Sequence, residues 1–471
     1  MWYRNDLRIH DHEPLQRALD SVSEVIPVYC VDPRWFQKTS FGFPKTGPFR
    51  ARFLLESLSD LRQRLRDKGS ELIVRIGKPE DILPEMARAY QAEGIFAHKE
   101  VTDEEVKIEE AVEKAFFKEG VTLELLWGAT LYHVADLPMP VRSLPDIYTQ
   151  FRKQVEKMAD VRETFPTPDH IPTPGIPDPG ELPTLEDLGL EAPTRDERAV
   201  LAYRGGETAG LERLNQYFWE QDLLKVYKET RNGLLGADFS SKFSAWLAMG
   251  CLSPRKIYEE VRRYESVRKK NSSTYWLIFE LIWRDYFRFV AKKYGNLLFQ
   301  QGGIKNNGYH GKHDWKRFEA WADGQTGIPF IDANMREIKY SGYMSNRGRQ
   351  NVASFLVKDL GIDWRIGAEY FESMLIDYDP CSNWGNWNYV AGVGNDPRED
   401  RYFNIISQAK RYDPQGDYVR HWVPELAELP ASVIHDPAHA YSNQLREHGI
   451  ELGVDYPNAV IDLNKKVANR R

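Results

Sequence analysis

The chain has 471 residues, of which 42% are hydrophobic and 28% are charged, a composition typical of globular proteins with two or three domains. Its formal net charge of −7 excludes a strongly basic nucleic-acid-binding protein, so any such binding must depend on a local patch. The sequence contains neither an evident signal peptide nor an apolar run of membrane-spanning length. We therefore expect a cytoplasmic protein, a monomer, with no membrane segment.

The cysteines and histidines do not indicate a metal site. Cys30, Cys251 and Cys381 are isolated from one another and form no Cys-x-x-Cys pair, which fits a reducing compartment and argues against zinc and disulfides. Two histidine pairs, His10 with His12 and His310 with His313, lack acidic or thiol partners at metal-ligand spacing. We interpret them as solvated or helix-capping residues and expect no metal.

The first 129 residues alternate short apolar runs with helical patterns. An apolar stripe from Phe53 to Leu65 ends at Gly69, and Pro79 opens another helix. The apolar runs cover residues 24–31, 72–76, 95–98 and 121–127. This order predicts an α/β domain over residues 1–129, built on a doubly wound, mostly parallel sheet with helices on both faces.

The start of this domain is unusual. Only Met1, Trp2 and Tyr3 precede a polar turn, although a strand normally has about five residues. We expect either a chain that is truncated at its start or a very short edge strand. The domain also lacks a Gly-x-Gly-x-x-Gly motif, so we expect no dinucleotide at its strand–helix turns.

A connector and a second domain follow. Residues 130–200 are loop-like, and prolines and acidic residues dominate between Pro166 and Pro193, which predicts a surface linker. Helical patterns replace strand patterns over residues 201–471 and predict an all-α domain. Within it, Gly250 marks a helix end, and Ser253-Pro254 marks the next helix start through an N-cap serine and a first-turn proline.

Two short stretches of the helical domain suit a nucleotide-like ligand. The hydroxyl-rich turn at 239–244 precedes a short helix and includes Lys242, so it could cradle a diphosphate or could simply cap the helix. Further on, Glu280 lies within an aromatic helical face with Trp276, Trp283 and Phe287. Such a face can stack a base on an indole and accept its N–H with the carboxylate.

That aromatic face has a simpler interpretation as well. Trp283 could be a core residue, and Glu280 could form a surface ion pair with Arg284 one turn away. In the functional interpretation, Arg284 instead holds a phosphate with its guanidinium.

Amides, acids and indoles concentrate between residues 343 and 387. We predict a helix beginning near Asn346 and a second closing at Asp377 and Asp379, after which Pro380 breaks the backbone. Ser382 or Asn383 then caps a third helix, which places Asn383 and Trp387 on one face. Capping and core packing explain any one of these residues, whereas the whole group indicates polar side chains held inside the domain for a partner.

These stretches resemble the photolyase/cryptochrome family. The similar motifs span nearly the whole chain and are Tyr3-Arg4-Asn5-Asp6-Leu7-Arg8, Glu280-Leu281-Ile282-Trp283-Arg284, Gly324-Gln325-Thr326-Gly327, Met344-Ser345-Asn346-Arg347 and Asp377-Tyr378-Asp379. Residues 246–255, 346–354 and 383–389 most resemble the DASH-type cryptochromes of that family. The resemblance implies an α/β antenna domain, a long connector and a helical domain that buries a U-shaped FAD.

The resemblance also implies roles for individual residues. Asn383 would face flavin N5, where a neutral amide favours the reduced form FADH⁻. Arg349 and Asp377 would form an ion pair beside the flavin. The FAD-binding residues implied are Tyr227, Ser240, Ser241, Lys242, Phe243, Ser244, Asn346, Arg349, Asp377, Asp379 and Asn383.

Three tryptophans are similar to the family's electron-transfer chain, which reduces oxidised FAD in light. They are Trp387, Trp364 and Trp315, and each could otherwise be an ordinary core residue. In the antenna domain, Glu109 corresponds to the family's folate contact, which implies 5,10-methenyltetrahydrofolate as a second chromophore.

The substrate implied is a cyclobutane pyrimidine dimer, flipped out of DNA into a pocket over the flavin. The catalytic residues implied are Glu280, Trp283, Asn346 and Asn383, and the DNA-binding residues are Arg231, Glu280, Trp283, Arg284, Arg347, Gln350 and Tyr389. Gln350 and Tyr389 stand where duplex-repairing bacterial photolyases have Met and Trp. Weaker stacking offsets less of the unpairing energy, so we expect a preference for single-stranded DNA.

The leading hypothesis is therefore a light-driven, FAD-dependent lyase that splits pyrimidine dimers. A blue-light photoreceptor that signals through flavin photoreduction is the main alternative, although the sequence shows no long disordered C-terminal tail. A DNA-binding module without flavin remains open as well. Asn383 and the missing tail disfavour an animal-type clock repressor.

Overall fold

The structure, a computed structural model, describes residues 1–117, 120–398 and 401–464. Its N-terminal part contains a parallel sheet of five strands in the order β3-β2-β1-β4-β5. The strands are β1 (Trp2–Tyr3), β2 (Val28–Val31), β3 (Ile73–Ile76), β4 (Gly94–His98) and β5 (Thr122–Leu126). The doubly wound parallel sheet predicted from the sequence is confirmed.

Strand β1 lies at the centre of the sheet, so the expectation of an edge strand was wrong. Trp2 is paired with Val28 of β2 on one side and with Ala97 of β4 on the other. Its two residues point to opposite faces, because Tyr3 belongs to the large hydrophobic core and Trp2 to a smaller core under the other face. Neighbouring strands on both sides keep so short a strand in place.

Helices cover both faces of the sheet, as the sequence predicts. They are α1 (Glu13–Ser21), α2 (Pro48–Arg66), α3 (Pro79–Tyr90) and α4 (Asp103–Phe117). Helix α2 buries Phe53, Leu58, Leu61 and Leu65, which is the predicted apolar stripe, and α3 begins at Pro79.

The connector contains a helix that the sequence interpretation missed. Helix α5 (Tyr148–Met158) lies within the region expected to be loop-like, so that expectation was wrong for this segment. Tyr148, Phe151 and Val155 are buried along one face at helical spacing. This short apolar pattern gives a weak sequence signal, because the proline-rich segment that follows it dominates the composition of the region.

Beyond α5, the described residues form helices and loops without a further strand. Helices follow at α6 (Glu207–Asn215), α7 (Tyr227–Thr230), α8 (Ser244–Ala248), α9 (Pro254–Val267), α10 (Ser272–Tyr294), α11 (Trp315–Ala322), α12 (Pro329–Ser341), α13 (Asn346–Ser354), α14 (Trp364–Met374), α15 (Pro380–Ala391), α16 (Ile405–Tyr412), α17 (Asp417–Trp422) and α18 (Ser442–Glu447). Ser253 caps α9 with Pro254 in its first turn, as predicted. In the part of the chain described, no helix is long and apolar enough to cross a membrane.

The α/β part and the helical part share one core along a tight seam. Leu7 N donates to Met249 O at 3.1 Å, and Arg8 Nη1 donates to Gly250 O at 2.8 Å. On the helical side, the buried Asp285 carboxylate accepts from the backbone amides of Leu131 and Tyr132 at 2.9 and 2.8 Å. The division into 1–129, 130–200 and 201–471 stays a prediction, since these contacts join its three parts.

The seam generates a stability prediction at Gly250. This residue has φ +67, and a Cβ there would lie 2.1 Å from Asn5 O, which is backbone and cannot move aside cheaply. We expect Gly250→Ala to lower the free energy of unfolding by about 2–4 kcal/mol, as backbone strain and overpacking add.

The matched control is Gly361→Ala, which has φ +70 but meets no atom within 4 Å of the added Cβ. It should cost only the backbone strain, about 1 kcal/mol. Thermal and urea unfolding of both variants measures the difference, and equal losses would show that the seam is not tightly packed at Gly250.

Candidate functional site

The turn at 239–244 is strained at Lys242 and buried at residues 241–243. Lys242 has φ +61 in the left-handed region and is 4% exposed, and its Nζ donates to Tyr343 Oη at 3.2 Å. Helix α8 begins at Ser244, and its N-cap is Phe243, which makes no side-chain capping bond. The alternative interpretation of these serines as a simple capping cluster is therefore wrong.

Arg213 of α6 fixes this turn from behind, and the sequence interpretation missed it. Its guanidinium donates to the carbonyl oxygens of Ser241, Ala237 and Ser240 at 3.1, 2.9 and 3.3 Å. It also pairs with Asp238 at 3.0 Å. Because the turn's backbone is held by Arg213, the Lys242 ammonium is presented at a fixed position. An arginine on an amphipathic helix gives no sequence signal for such a role.

The predicted ion pair between Arg349 and Asp377 is present in the structure. Arg349 Nη2 donates to Asp377 Oδ2 at 2.8 Å, and Arg349 Nε donates to Met344 O at 2.9 Å. Burial alone would lower the pKa of the Arg349 guanidinium, but the Asp377 carboxylate outweighs it and the pKa is raised. Arg349 lies on α13, which begins at Asn346 as predicted and is capped by Ser345.

Buried polar atoms without a partner lie near this pair. Asp377 Oδ1 and Tyr203 Oη have no hydrogen-bond partner among the described residues, and the Tyr203 and Tyr343 rings are 5.4 Å apart. Since buried polar atoms are normally satisfied, they indicate space for a polar ligand. Together with the Lys242 and Arg349 cations, this donor and acceptor set fits a cofactor that carries phosphates and hydroxyls, as FAD does.

The helix ends after α14 differ from the prediction. Helix α14 ends at Met374 rather than at Asp377 and Asp379. Asp379 itself caps α15 by accepting from Ser382 N at 2.7 Å, so the prediction that Ser382 or Asn383 caps this helix was wrong. A direct contact between Asp379 and FAD stays a prediction, with one of its oxygens already used by the cap.

Asn383 and Trp387 share a buried face of α15, as predicted. Asn383 is 9% exposed, and its Nδ2 donates to Ala368 O at 3.0 Å. With the amide nitrogen bound to a helix carbonyl, the side-chain oxygen remains as an acceptor. An acceptor of this kind suits the N5 hydrogen of a reduced flavin.

The three predicted electron-transfer tryptophans are not equally placed. Trp387 packs edge-on against Phe371, with ring centres 5.1 Å apart, and lies against Gly367 on α14. Trp364 begins that same helix and is fully buried, with its indole N–H donating to Gln301 O at 3.0 Å. Trp315 is 41% exposed, and its ring contacts are with Phe41, Phe43 and Phe318.

The face of α10 pairs an acid with stacked aromatic rings. Glu280 Oε1 accepts from Arg231 Nη1 at 2.5 Å, and burial raises the Glu280 pKa while Arg231 opposes the rise. Trp283 stacks on Tyr148 of α5 with ring centres 3.6 Å apart, and lies edge-on to Tyr389 at 6.1 Å. Helix α5 of the connector therefore packs against the Glu280–Trp283 face.

Arg284 does not join this face. Its guanidinium donates to the carbonyl oxygens of Ala129 and, at 3.1 Å, Leu247, so the alternative ion pair with Glu280 is wrong. Burial lowers its pKa, and it lines a cavity between the α/β part and the helical part. The geometry favours a structural role for Arg284 over the predicted contact with a DNA phosphate.

The remaining predicted DNA-binding residues lie around the start of α13 and the end of α15. Asn346 is exposed, and Arg347 donates to Gln350 Oε1 at 2.8 Å and lies 4.5 Å above the Tyr412 ring. Tyr389 Oη accepts from Arg401 Nη2 at 3.1 Å.

Tyr227, a predicted FAD-binding residue, is buried at the start of α7.

A cavity of about 540 Å³ separates the sheet from the helical part. Its walls include Arg4, Glu105, Glu372, Tyr378 and Trp384, and burial raises the pKa of both Glu105 and Glu372 to about 7.

Glu109, the predicted folate contact, lies behind this cavity. Its Oε1 accepts from Arg4 Nη1 at 2.5 Å and from Glu100 N at 2.7 Å, and its Oε2 lies 3.4 Å from Lys99 Nζ. The Glu109 contact with folate stays a prediction, since the carboxylate already has internal partners.

His12 and His98 both lie beside the Asp6 carboxylate. His12 Nδ1 accepts from Leu15 N at 3.1 Å and so caps α1, while its Nε2 lies 2.8 Å from Asp6 Oδ2. His98 Nδ1 lies 3.0 Å from the same oxygen, and burial lowers the His98 pKa to about 4. These spacings are those of hydrogen bonds, and capping is confirmed for His12.

Comparisons with known proteins agree with this geometry. The family model described as DNA photolyase matches residues 1–171, and the model described as the FAD binding domain of DNA photolyase matches residues 276–471. The chain belongs to the photolyase/cryptochrome family, among its DASH-type cryptochromes. The FAD-binding match contains Arg349, Asp377 and Asn383, whereas the turn at 239–244 lies outside it.

Individual relatives are similar over almost their whole length. A cryptochrome DASH of Gloeobacter violaceus is 56% identical over 468 residues, which cover 99% of this chain and 94% of the relative. The crystal structure of a Synechocystis sp. PCC6803 cryptochrome is 54% identical with a TM-score of 0.97, covering 100% of this chain and 97% of the other. A class III photolyase of Agrobacterium tumefaciens is 30% identical with a TM-score of 0.86, covering 99% and 95%.

The ion pair yields a prediction about FAD affinity. Asp377→Asn keeps the size of the side chain but removes the charge that pairs with Arg349. Because breaking a buried pair leaves an uncompensated charge, we expect FAD to bind about 10- to 100-fold more weakly. Fluorescence titration of the apoprotein with FAD measures the change.

The control is Asp323→Asn, which removes a similar ion pair, with Lys339 at 2.7 Å, from the surface. Exposed pairs contribute little, so its FAD affinity should equal that of the wild type. An Asp377→Asn protein that also binds FAD like the wild type would contradict the assignment.

Proposed function

We propose that this protein is a blue-light-driven, FAD-dependent lyase that splits cyclobutane pyrimidine dimers, preferentially in single-stranded DNA. The observation that carries the proposal is the Glu280–Trp283 face of α10, where a carboxylate paired with Arg231 adjoins a stacked indole. Reduced flavin, when bound, would supply the chemistry, which is the light-driven transfer of one electron to the dimer and its return.

The residues around the flavin hold it and set its charge. The Lys242 ammonium and the Tyr203 hydroxyl would meet its polar chain, and the free Asp377 oxygen would accept a hydrogen bond from it. The Asn383 oxygen would hold the proton at flavin N5 and so favour the reduced form. The resemblance adds Tyr227, Phe243 and the serines 240, 241 and 244 to the cofactor's surroundings.

The residues over the flavin would receive the flipped dimer. Trp283 offers a flat apolar surface, and ionised Glu280 accepts an N–H from the dimer's bases. Asn346 lies exposed at the start of α13 and would contact the lesion as well. Arg231 and Arg347 would bind phosphates, which supplies the local positive charge that the acidic protein as a whole lacks.

The preference for single strands rests on Gln350 and Tyr389. Gln350 accepts from Arg347, and the Tyr389 hydroxyl accepts from Arg401, so both side chains carry hydrogen-bonded polar groups, and the Tyr389 ring lies edge-on to Trp283. Polar groups of this kind stack bases less well than Met and Trp do. They therefore offset less of the few kcal/mol that extruding a dimer from a duplex costs.

We also propose that the interdomain cavity holds the antenna chromophore, 5,10-methenyltetrahydrofolate. The cavity lies between the two parts and offers carboxylates at Glu105 and Glu372 to the N–H groups of a pterin. An archaeal photolyase of Sulfolobus tokodaii, 28% identical with a TM-score of 0.80, was solved with two FAD molecules, so extraction must distinguish folate from a second flavin. The three cysteines are free and buried, which suits the cytoplasm, and we propose that the protein acts there as a monomer.

The deciding experiment is a repair assay. Protein with chemically reduced flavin is illuminated with single-stranded and duplex oligonucleotides that carry one dimer, with Glu280→Gln as the inactive control. We expect repair of single strands to exceed that of duplexes clearly. If neither is repaired while illumination changes the affinity for a partner protein, the photoreceptor alternative is the correct one.

The ion pair at Glu280 predicts a pH dependence. Burial raises the Glu280 pKa and Arg231 opposes this, so the ionised carboxylate is lost as pH falls through that raised pKa. Arg231→Ala should raise the pKa further and move the acidic limb of the repair quantum yield to higher pH, while Arg231→Lys should leave it nearly in place. The quantum yield is measured at saturating DNA, so that weaker binding does not enter.

The proposed preference for single strands predicts how a variant at Gln350 and Tyr389 binds DNA. The double variant Gln350→Met, Tyr389→Trp should gain stacking surface and bind duplexes that contain a dimer more tightly, by about 1 kcal/mol or fivefold. Its affinity for single strands should change much less, because no unpairing is needed there. Equal changes for both substrates would show that these residues do not set the preference.

The assignment of Trp387 to the electron-transfer chain predicts how its replacement changes FAD photoreduction. Trp387→Phe should slow photoreduction of oxidised FAD at least tenfold while FAD remains bound, because phenylalanine fills most of the space but is far harder to oxidise. Repair by chemically reduced protein should continue in this variant. Absorption at the flavin band under blue light follows the reaction, and an unchanged rate would remove Trp387 from the chain.

A further inference from the structure

Trp364 has another indole beside it. The Trp364 and Trp384 rings meet edge to face, with centres 5.6 Å apart and planes at 80°. Trp384 lies on α15 and is 6% exposed, and it lines the cavity between the α/β part and the helical part. It therefore stands between the buried Trp364 and a space that a small molecule can occupy.

Trp315 offers a less direct continuation from Trp364. The ring contacts of Trp315 are with three phenylalanines, whose oxidation is far less favourable than that of an indole. Since electron transfer slows steeply with distance, Trp384, whose ring contacts that of Trp364, has the advantage over a tryptophan whose ring contacts are with phenylalanines.

We propose that Trp384 is a second outlet of the electron-transfer chain, one that opens into the interdomain cavity. The proposal rests on the photoreduction through Trp387 and Trp364 described above. Trp384 gives one electron to the Trp364 radical cation, which returns to its neutral state, and Trp384 becomes the radical cation. No bond forms or breaks. A one-electron reductant of the thiol or ascorbate class, entering the cavity when the proposed folate does not occupy it, returns the electron to Trp384.

The surroundings of Trp384 favour a radical that stays on this indole. Its Nε1–H donates to Tyr378 Oη at 3.2 Å, so the more acidic N–H of an oxidised indole keeps a hydrogen-bond acceptor. The Arg50 guanidinium lies 4.6 Å above the Tyr378 ring, and this positive charge opposes oxidation of the tyrosine. The nearest phenol thus acts as an acceptor rather than as the next donor.

The first test uses the wild-type protein with FAD bound. It is illuminated in the presence of a water-soluble nitroxide radical trap, and the modified tryptophans are mapped by peptide mass spectrometry against a dark sample. We expect light-dependent adducts at Trp384. Adducts at Trp315 without any at Trp384 would overturn the proposal.

The second test compares variants in photoreduction with a thiol as external reductant. Trp384→Phe should lower the rate at least threefold, Trp315→Phe should have a smaller effect, and the double variant should be slowest. Flavin content and melting temperature check that each variant is folded. If Trp387→Phe leaves the rate unchanged, the underlying chain is wrong; if it abolishes photoreduction while Trp384→Phe does not slow it, only the Trp384 outlet is wrong.

Discussion

The arrangement of both candidate sites depends on the hydrogen-bonded seam between the first turn of the sheet and the end of α8. Leu7 and Arg8 bind the carbonyl oxygens of Met249 and Gly250, where α8 has just ended. The other end of that helix, only five residues long, continues directly from the turn that carries Lys242. One short helix therefore links the cavity under the sheet to the proposed phosphate site, and neither can shift without the other.

A second constraint is the need to satisfy polar groups inside a helical core. Arg213 binds three carbonyl oxygens of the 237–241 turn, and Arg349 binds Met344 O together with Asp377. These bonds cover most of the polar atoms, yet one Asp377 oxygen and the Tyr203 hydroxyl keep none. This part of the protein is expected to gain stability when a polar cofactor binds beside these two atoms, because ligands that bind only the folded state shift the equilibrium toward it.

The sequence predicted those features that depend on local periodicity. The parallel sheet, the α2 stripe, the Ser253 cap and the shared face of Asn383 and Trp387 all follow from spacing along one element. Local periodicity could not show what tertiary contacts decide: β1 is central because two strands flank it, and the Arg284 guanidinium binds the carbonyl oxygens of Ala129 and Leu247. Arg213 and Trp384 could not be identified in advance, since their roles depend on residues distant in sequence.

The stack of Tyr148 on Trp283 gives the connector a part in the chemistry of the helical domain. The Tyr148 hydroxyl also donates a hydrogen bond to Phe279 O at 2.8 Å. A ring stack and a hydrogen bond therefore hold α5 against α10. A segment that joins two folded parts usually varies freely in length and composition. Here that freedom is lost at α5 and again beyond Met158, where Asp11 N donates to Phe165 O at 3.1 Å and Val74 N donates to Pro179 O at 2.8 Å. Insertions should therefore be poorly tolerated in both segments, because each is bonded to a folded part of the protein.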